Sequence, residues 1–387
     1  MILGEKNMYT DSQIAYAKTL LVDEMSKKVF DHRVAFAKSG DIVHLLNLIG
    51  DSLPPAGSET YATSIKLLAL ARKIAMSKEK QTVVIWGVGN SSSTPLQLLH
   101  EYFFTADKKP EIIGCDNNKN LWGTIRTHHN PNMRIPIVSP KTVNDMAIDK
   151  SCNAVLAFGQ YNSVESVYNQ LMDYGFTDDR VLKQTGFYEY QLGNIYLDRE
   201  IMHARDNEFL VDIGAYDMAN SIDFIRWCKG AYRKIVAFEA DYASYENCKA
   251  VIAELGLDNC GVFYNAVFSS DTDITFISAP DGEHGGSRID ATGECTVKAV
   301  TLDGFLGNDA KDVSIIKMDI EGAEKDALSG AKETIAKYGP RLAISAYHKP
   351  FDVIELPMFI KELNPQYKFY LRHHTLGIWD TVLYAVK

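Results

Sequence analysis

FLVDIGAYD, residues 209–217, decides the fold: an apolar run carrying one acid, Asp212, ends in a glycine turn. That is the grammar of a buried strand handing over to a helix. About 27 residues beyond Asp212, IVAFEA (235–240) is a second buried strand, closing on the carboxylate of Glu239. The spacing suits a strand, a helix and a strand of ordinary length. A glycine lets the backbone approach a ligand, and a carboxylate at the end of the second strand can accept two hydrogen bonds from ribose hydroxyls. The pair therefore describes a site for an adenosine compound. A dinucleotide would ask for G-x-G-x-x-G, with its pyrophosphate on the helix N-terminus. Here Tyr216 and Ala219 stand at the second and third glycine positions. A ligand without phosphates is favoured, S-adenosylmethionine (SAM) first.

Downstream, a third strand is expected over 261–264, followed by Asn265 and Ala266, which would lie near the adenine. A fourth runs over 314–318 into DIEGAE (319–324) and a helix to about 338; a fifth covers 341–346, with a helix over 352–363. Two β-rich runs, 367–374 and 378–386, read as an antiparallel hairpin. A mostly parallel sheet finishing in such a hairpin points to an α/β protein of the class I methyltransferase fold. A dinucleotide dehydrogenase normally ends in a parallel strand.

Upstream, 186–204 reads as a polar linker and 81–185 as a smaller Rossmann-like domain. There TVVIWGVGN (82–90) runs into Gly87 and Gly89, and EIIGCDNN (111–118) carries Asp116 near its end. These residues would suit a nucleotide, although a lone G-x-G equally makes a bare strand–helix turn. The hydroxyls of 91–94 can cap a helix or hold a phosphate. Residues 1–80 carry helical periodicity, with one amphipathic helix over 11–38 and another over 60–77. They form a cap or a layer through which the chain could form a homo-oligomer.

Composition sets outer bounds. Of the 387 residues, 46% are hydrophobic and 23% charged, as in ordinary soluble globular proteins. A net charge of −10 disfavours nucleic acid and anionic membranes as partners. No apolar run approaches a membrane span. The six cysteines are scattered without a C-x-x-C pair, which predicts reduced thiols and a cytoplasmic location.

VDIGA, AFEA, NAV, the Gly-Ser-Arg segment, TLDGF, IIKMDIEGAE and SAYH follow one another in the order seen in FkbM-type SAM-dependent methyltransferases. The chain resembles that family over roughly 205–387, most specifically in KMDIEGAE (317–324). The resemblance implies methylation of a hydroxyl oxygen on a sugar or a polyketide-like natural product. It departs from the family at Met218, where the first loop usually carries a further glycine, D-x-G-A-x-x-G. The 81–185 segment is loosely similar to the N-terminal domain of sugar acetyltransferases that act on nucleotide sugars. Together these give a small-molecule or glycan acceptor.

Methyl transfer needs alignment of acceptor, methyl and sulfur, and the acceptor hydroxyl must lose a proton. Candidates belong at the carboxyl ends of strands four and five, where open α/β sheets bind ligands. Asp319 and His348 stand there as the candidate catalytic pair, Asp319 otherwise serving as a helix N-cap and His348 as a packed or capping histidine. Asp212, Gly214, Ala215, Tyr216, Glu239, Ala240, Asn265 and Ala266 are the candidate cofactor residues. Lys317, Glu321, Ser287 and Arg288 are the candidate acceptor contacts. The acids with His348 could hold Mg²⁺, but no established metal spacing is met and no metal ligand is assigned. Two alternatives remain: a non-catalytic nucleotide- or SAM-binding scaffold, and an NAD-dependent sugar-modifying enzyme using Gly87 and Gly89.

Overall fold

A computed structural model describes residues 9–54, 56–104, 109–127, 134–158, 161–183, 191–277, 288–289, 293 and 295–387. They fall into two compact units, each assembled from separated stretches: residues up to 37 with 193–374 and 380–387, and residues 38–192 with 375–379.

Seven strands build the main sheet of the first unit: β1 (Glu208–Ile213), β2 (Tyr232–Glu239), β3 (Cys260–Tyr264), β4 (Ile315–Met318), β5 (Arg341–Ser345), β6 (Lys368–His373) and β7 (Thr381–Val386). Their order is β3-β2-β1-β4-β5-β7-β6. All run parallel except β7, which is antiparallel to β5 and to β6. β1, β4 and β5 are buried at every position, which is why they read as apolar runs without alternation. Strand order reverses between β1 and β4, so a crevice opens at their carboxyl ends. This is the class I methyltransferase arrangement with its closing hairpin.

Two helices differ from the sequence expectation. The single helix over 11–38 is broken into α1 (Asp11–Thr19) and α2 (Glu24–Ser39). The break is made by docking: Leu21 forms a parallel bridge with Phe369, and the Val22 amide donates to the Phe369 carbonyl at 3.0 Å. Asp23 then accepts the Ser26 amide at 2.8 Å and pairs with Arg372 at 2.7 Å. Ser26 Oγ accepts the Leu371 amide at 2.9 Å. The segment thus covers the exposed side of β6, an edge that would otherwise present unpaired backbone groups.

The helix expected to run on to about 338 is likewise two, Glu324–Gly330 and Lys332–Lys337. Gly330 is pressed so closely on the Phe268 carbonyl that an added Cβ would lie 2.0 Å from it. Asp303 starts the second piece by accepting the amides of Glu333 and Thr334, each at 2.9 Å. Between β3 and β4 a small second sheet pairs Cys295–Val300 with Thr272–Ile277 and with Ala266–Val267, and Thr272–Ile277 with Arg288–Ile289.

The second unit holds a six-stranded sheet. Arg134–Val138, Glu111–Cys115, Thr82–Trp86, Cys152–Leu156 and Val181–Lys183 are parallel neighbours in that order, with Ile125–Thr127 antiparallel at the edge. The core packs Trp86, Leu156, Val164 and Leu171. Its topology is Rossmann-like, with the helix Ser93–Tyr102 leaving the Gly87–Gly89 turn. In neither unit is a described helix long and apolar enough to cross a membrane, and the described cysteines form no disulfide.

Candidate active site

The floor of the crevice is a buried ion pair. Lys317 on β4 lies beside Asp212 on β1 in register, and Lys317 Nζ is 3.0 Å from Asp212 Oδ1. Ser221 donates to Asp212 Oδ2 at 2.7 Å, and Lys317 Nζ donates to the Gly214 carbonyl at 2.6 Å. Both charged side chains are almost fully buried. They face each other and the loop backbone, so they act on the turn from beneath. Gly214 has φ +83°, and an added Cβ would sit 1.9 Å from the Asp319 carbonyl, so only glycine lets the β1 and β4 loops meet.

Tyr216 and Met218 also have positive φ, 52° and 67°. Met218 therefore adopts the left-handed conformation that a glycine would supply, at a cost of about 1–2 kcal/mol. In return its side chain is fully buried with Ala215, Ala237 and Cys248. The loop path expected of the glycine is kept, and the helix Ala219–Trp227 starts directly after it.

Glu239 ends β2, as expected, and is tied to both neighbouring loops. Its Oε2 accepts the Tyr216 amide and its Oε1 the Asp241 amide, each at 2.8 Å. Burial raises its pKa, and those two amides and Lys317 offset the rise only in part. Each oxygen keeps a second acceptor position. Ala240 follows at the mouth, and Asp241 caps the helix Tyr242–Leu255. Tyr242, Tyr245 and Tyr264 cluster nearby, Tyr264 lying 5.4 Å from each of the other two rings. Asn265 turns its amide to the Lys298 carbonyl at 3.1 Å, and Ala266 enters the second sheet. Arg288 is placed by its backbone opposite Ile277, whereas Ser287 lies outside the described residues.

At the carboxyl ends of β4 and β5 three carboxylates converge on one imidazole. Asp319 follows β4, and its amide donates to the Ile213 carbonyl at 3.0 Å. It does not cap the next helix, which begins at Glu324 behind Ala323. Its Oδ1 accepts from Ser345 at 2.8 Å and Tyr347 at 3.3 Å. Glu321 (φ +54°) and Gly322 (φ +99°) fold the chain back sharply. Glu324 Oε1 can then accept the Ile320 amide at 3.1 Å and contact His348 Nδ1 at 2.8 Å. His348 Nε2 faces Asp319 Oδ1 at 3.5 Å and Glu321 Oε2 at 3.6 Å.

The electrostatics follow from this crowding. Burial alone would depress the His348 pKa, but Glu324, Asp319 and Glu321 together push it up to about 10. In this state His348 is an imidazolium at neutral pH, with no lone pair to take a proton, unlike the neutral imidazole anticipated from its ordinary pKa. Asp319 is held the other way. Burial would raise its pKa, yet the charges of His348 and Lys317 and hydrogen bonds from Ser345 and Tyr196 keep it below the ordinary value. Its side chain remains 28% exposed, so an ionised carboxylate faces the crevice. Glu321 titrates high through burial and the repulsion of its acidic neighbours. Asp352, buried near Glu324, is pushed up to about 7.

Sequence reasoning missed Tyr196, Ser345 and Tyr347, which surround Asp319. Ser345 and Tyr347 lie inside the SAYH segment, and Ser345 is the single polar residue late in the apolar strand β5. Tyr196, whose hydroxyl is 2.9 Å from Ser345 Oγ, comes from the stretch read as linker, where nothing local marked it.

In the second unit, Gly87 has φ +91°, and an added Cβ would meet the Ala157 carbonyl and the Phe158 ring at 2.8 Å. Ser92 donates its hydroxyl to the Gly89 carbonyl at 2.6 Å, and Asp116 accepts the Asn118 amide at 2.8 Å. Those groups are engaged in holding their own turns.

Residues 212–369 match the methyltransferase FkbM domain. The crystal structure of methyltransferase FkbM from Methylobacillus flagellatus KT shares the fold, with a TM-score of 0.55 and 18% identity over 94% of this chain and 99% of that one. An rRNA methylase from Streptococcus thermophilus (14% identity, 50% of this chain and 91% of that, TM-score 0.32) is also similar. So is precorrin-6y C5,15-methyltransferase from Geobacter metallireducens GS-15 (11%, 47% and 81%, TM-score 0.32). Both are too distant to carry an argument. No curated protein matches the chain.

Proposed function

We propose, from the premise that residues 212–369 are a methyltransferase domain of the FkbM type, that the protein transfers a methyl group from SAM to the hydroxyl of a small acceptor, a sugar being the leading class. One observation carries this reading: an ionised, partly exposed carboxylate, Asp319, stands at the crevice beside the loop that Glu239 organises. The residues present suit the cofactor. Glu239 offers an unused acceptor position on each oxygen for the two ribose hydroxyls, and the β1 turn lacks the glycine pattern a pyrophosphate requires. Gly214, Ala215 and Tyr216 would form the wall at the methionine end, with Ala240, Asn265 and Ala266 on the adenine side.

When bound, SAM supplies an electrophilic methyl on a sulfonium whose departure as a neutral thioether needs no acid. The chain's own residues would handle the acceptor. Asp319 Oδ1 or Oδ2 accepts the hydroxyl hydrogen, orients the oxygen and receives its proton as the O–C bond forms. His348, charged, keeps Asp319 ionised for that role, while Ser345 and Tyr347 fix the carboxylate's direction. Glu321, 34% exposed, would meet a second acceptor hydroxyl.

The test is direct. The protein is incubated with SAM and a panel of free sugars, sugar nucleotides and polyols, and S-adenosylhomocysteine is measured. Asp319→Asn is expected to lower turnover about 10²–10⁴-fold with unchanged S-adenosylhomocysteine affinity. Glu239→Ala is expected to weaken that affinity by at least about 1 kcal/mol. Equal affinity in Glu239→Ala removes it from the ribose role, and full turnover in Asp319→Asn removes the base.

A further inference from the structure

We propose that Asp319, Glu321 and His348 form a binding site for one divalent transition-metal ion, Mn²⁺ or Zn²⁺ in character, with Glu324 as the residue that orients the histidine. The inference rests on the methyltransferase reading for its purpose, though not for its geometry.

The first observation is an orphaned atom. His348 is 93% buried by side chain, its relative exposure being 7%. Its Nε2 nevertheless has no hydrogen-bond partner among the described residues. It faces Asp319 Oδ1 at 3.5 Å and Glu321 Oε2 at 3.6 Å, beyond hydrogen-bond length. That separation leaves room for an ion between the atoms. Two ligands each about 2.1 Å from a metal, at a near-tetrahedral angle, stand about 3.4 Å apart.

The second observation is the other ring nitrogen. His348 Nδ1 is 2.8 Å from Glu324 Oε1, a carboxylate that is itself fixed by the Ile320 amide at 3.1 Å. The ion would displace the Nε2 proton of the metal-free imidazolium, while a carboxylate behind the histidine holds the remaining proton on Nδ1. Glu324 is thereby spent on backbone and ring, and the remaining donors are the two carboxylates that Nε2 faces. Ligand atoms of Asp319, Glu324 and His348 lie within 4.8 Å of one another, and Glu321 Oε2 stands 3.6 Å from His348 Nε2.

Third, the backbone is bent to make the site. Glu321 sits at φ +54°, a conformation that non-glycine residues rarely adopt. That bend is what brings its carboxylate across to the imidazole. Three carboxylates around one imidazole leave a negative balance whichever way the ring is protonated. A mixed oxygen and nitrogen donor set selects a transition ion over Mg²⁺ or Ca²⁺. At the carboxyl ends of β4 and β5, the ion would bind beside the acceptor position and polarise its hydroxyl.

The experiment uses the full chain stripped with a chelator and dialysed, titrated with MnCl₂ by calorimetry and by electron paramagnetic resonance. One saturable equivalent is expected, with nitrogen coupling from a single imidazole on the bound Mn²⁺. Glu321→Gln, a change at a partly exposed side chain, is expected to weaken Mn²⁺ at least tenfold while circular dichroism stays unchanged. Glu324→Gln is expected to weaken it about 10–100-fold. The proposal is overturned by no saturable uptake below about 1 mM, by uptake that Glu321→Gln leaves unaltered, or by absence of nitrogen coupling. S-adenosylhomocysteine is titrated in parallel. S-adenosylhomocysteine binding together with failure of Mn²⁺ uptake sinks the metal site alone, and Mn²⁺ uptake together with failure of S-adenosylhomocysteine binding sinks the methyltransferase reading alone.

Discussion

The two units of this chain each carry a buried strand, a glycine turn and a second strand with an acid at or just past its end. Gly214 and Glu239 play these parts in one, and Gly87 and Asp116 in the other. In both, the glycine is needed because the end of a neighbouring strand comes too close for a Cβ. What presses on it differs. Gly214 meets the backbone of Asp319, and with it a cluster of ionisable groups; Gly87 meets Ala157 and the ring of Phe158. The acids differ too. Glu239 ties two loops together with one amide on each oxygen, whereas Asp116 closes a turn within its own loop. Even the buried cations are used differently. Lys317 pairs with a carboxylate, while Arg180 donates to the backbone carbonyls of Cys152, Ala147 and Asp149 and lies over the Phe176 ring. A glycine turn marks where strands converge, and the residue across from it decides whether chemistry follows.

The sharpest way to break the contrast is Lys317→Met, which leaves Asp212 buried and unpaired. Denaturant unfolding of the first unit is expected to lose about 3–5 kcal/mol; a loss below 1 kcal/mol would mean that water or another cation reaches Asp212. Next comes Gly214→Ala set against Gly89→Ala. The first forces a Cβ into the Asp319 carbonyl at positive φ and is expected to cost about 2–4 kcal/mol, with loss of S-adenosylhomocysteine binding. The second meets nothing within 4 Å and is expected to stay within about 0.5 kcal/mol. Comparable costs at both positions would mean that the Asp319 carbonyl yields to the added Cβ.

A further test is in pH. His348 has a folded-state pKa raised to about 10, so in chelator-treated protein its contribution is fully present below its ordinary pKa near 6.5. That contribution is lost as pH rises toward 10. Melting temperature should fall across that window, and His348→Gln should flatten the decline. An equal slope in the variant would assign the decline to other groups.

Much of this was legible in the chain itself, for identifiable reasons. β1, β4, β5 and the second half of β2 are buried on both faces and so wrote continuous apolar runs, and β6 of the closing hairpin wrote alternation. Glu239 and Asp319 could be picked out as candidates because they stand at the ends of such runs. The partners of these residues were not legible. Lys317 looked like a residue for the acceptor because nothing local says that it lies in register with Asp212. Glu324 does lie in the first turn of its helix, but nothing local says that its carboxylate meets His348. The helix over 11–38 was overdrawn because its break is imposed by Phe369 and Arg372 far along the chain.

That last feature has a consequence for how the molecule is made. The amide of Leu371 bonds to Ser26 across 345 residues of sequence, and contacts this distant slow folding because loop closure comes before any gain from the contact. A ribosome adding about 5–20 residues per second would hold α1 and α2 without their docking surface for some tens of seconds. The second unit, whose sheet strands all fall between Thr82 and Lys183, can pair its strands during that interval. The crevice, which needs β4 and β5, is assembled among the last parts of the chain.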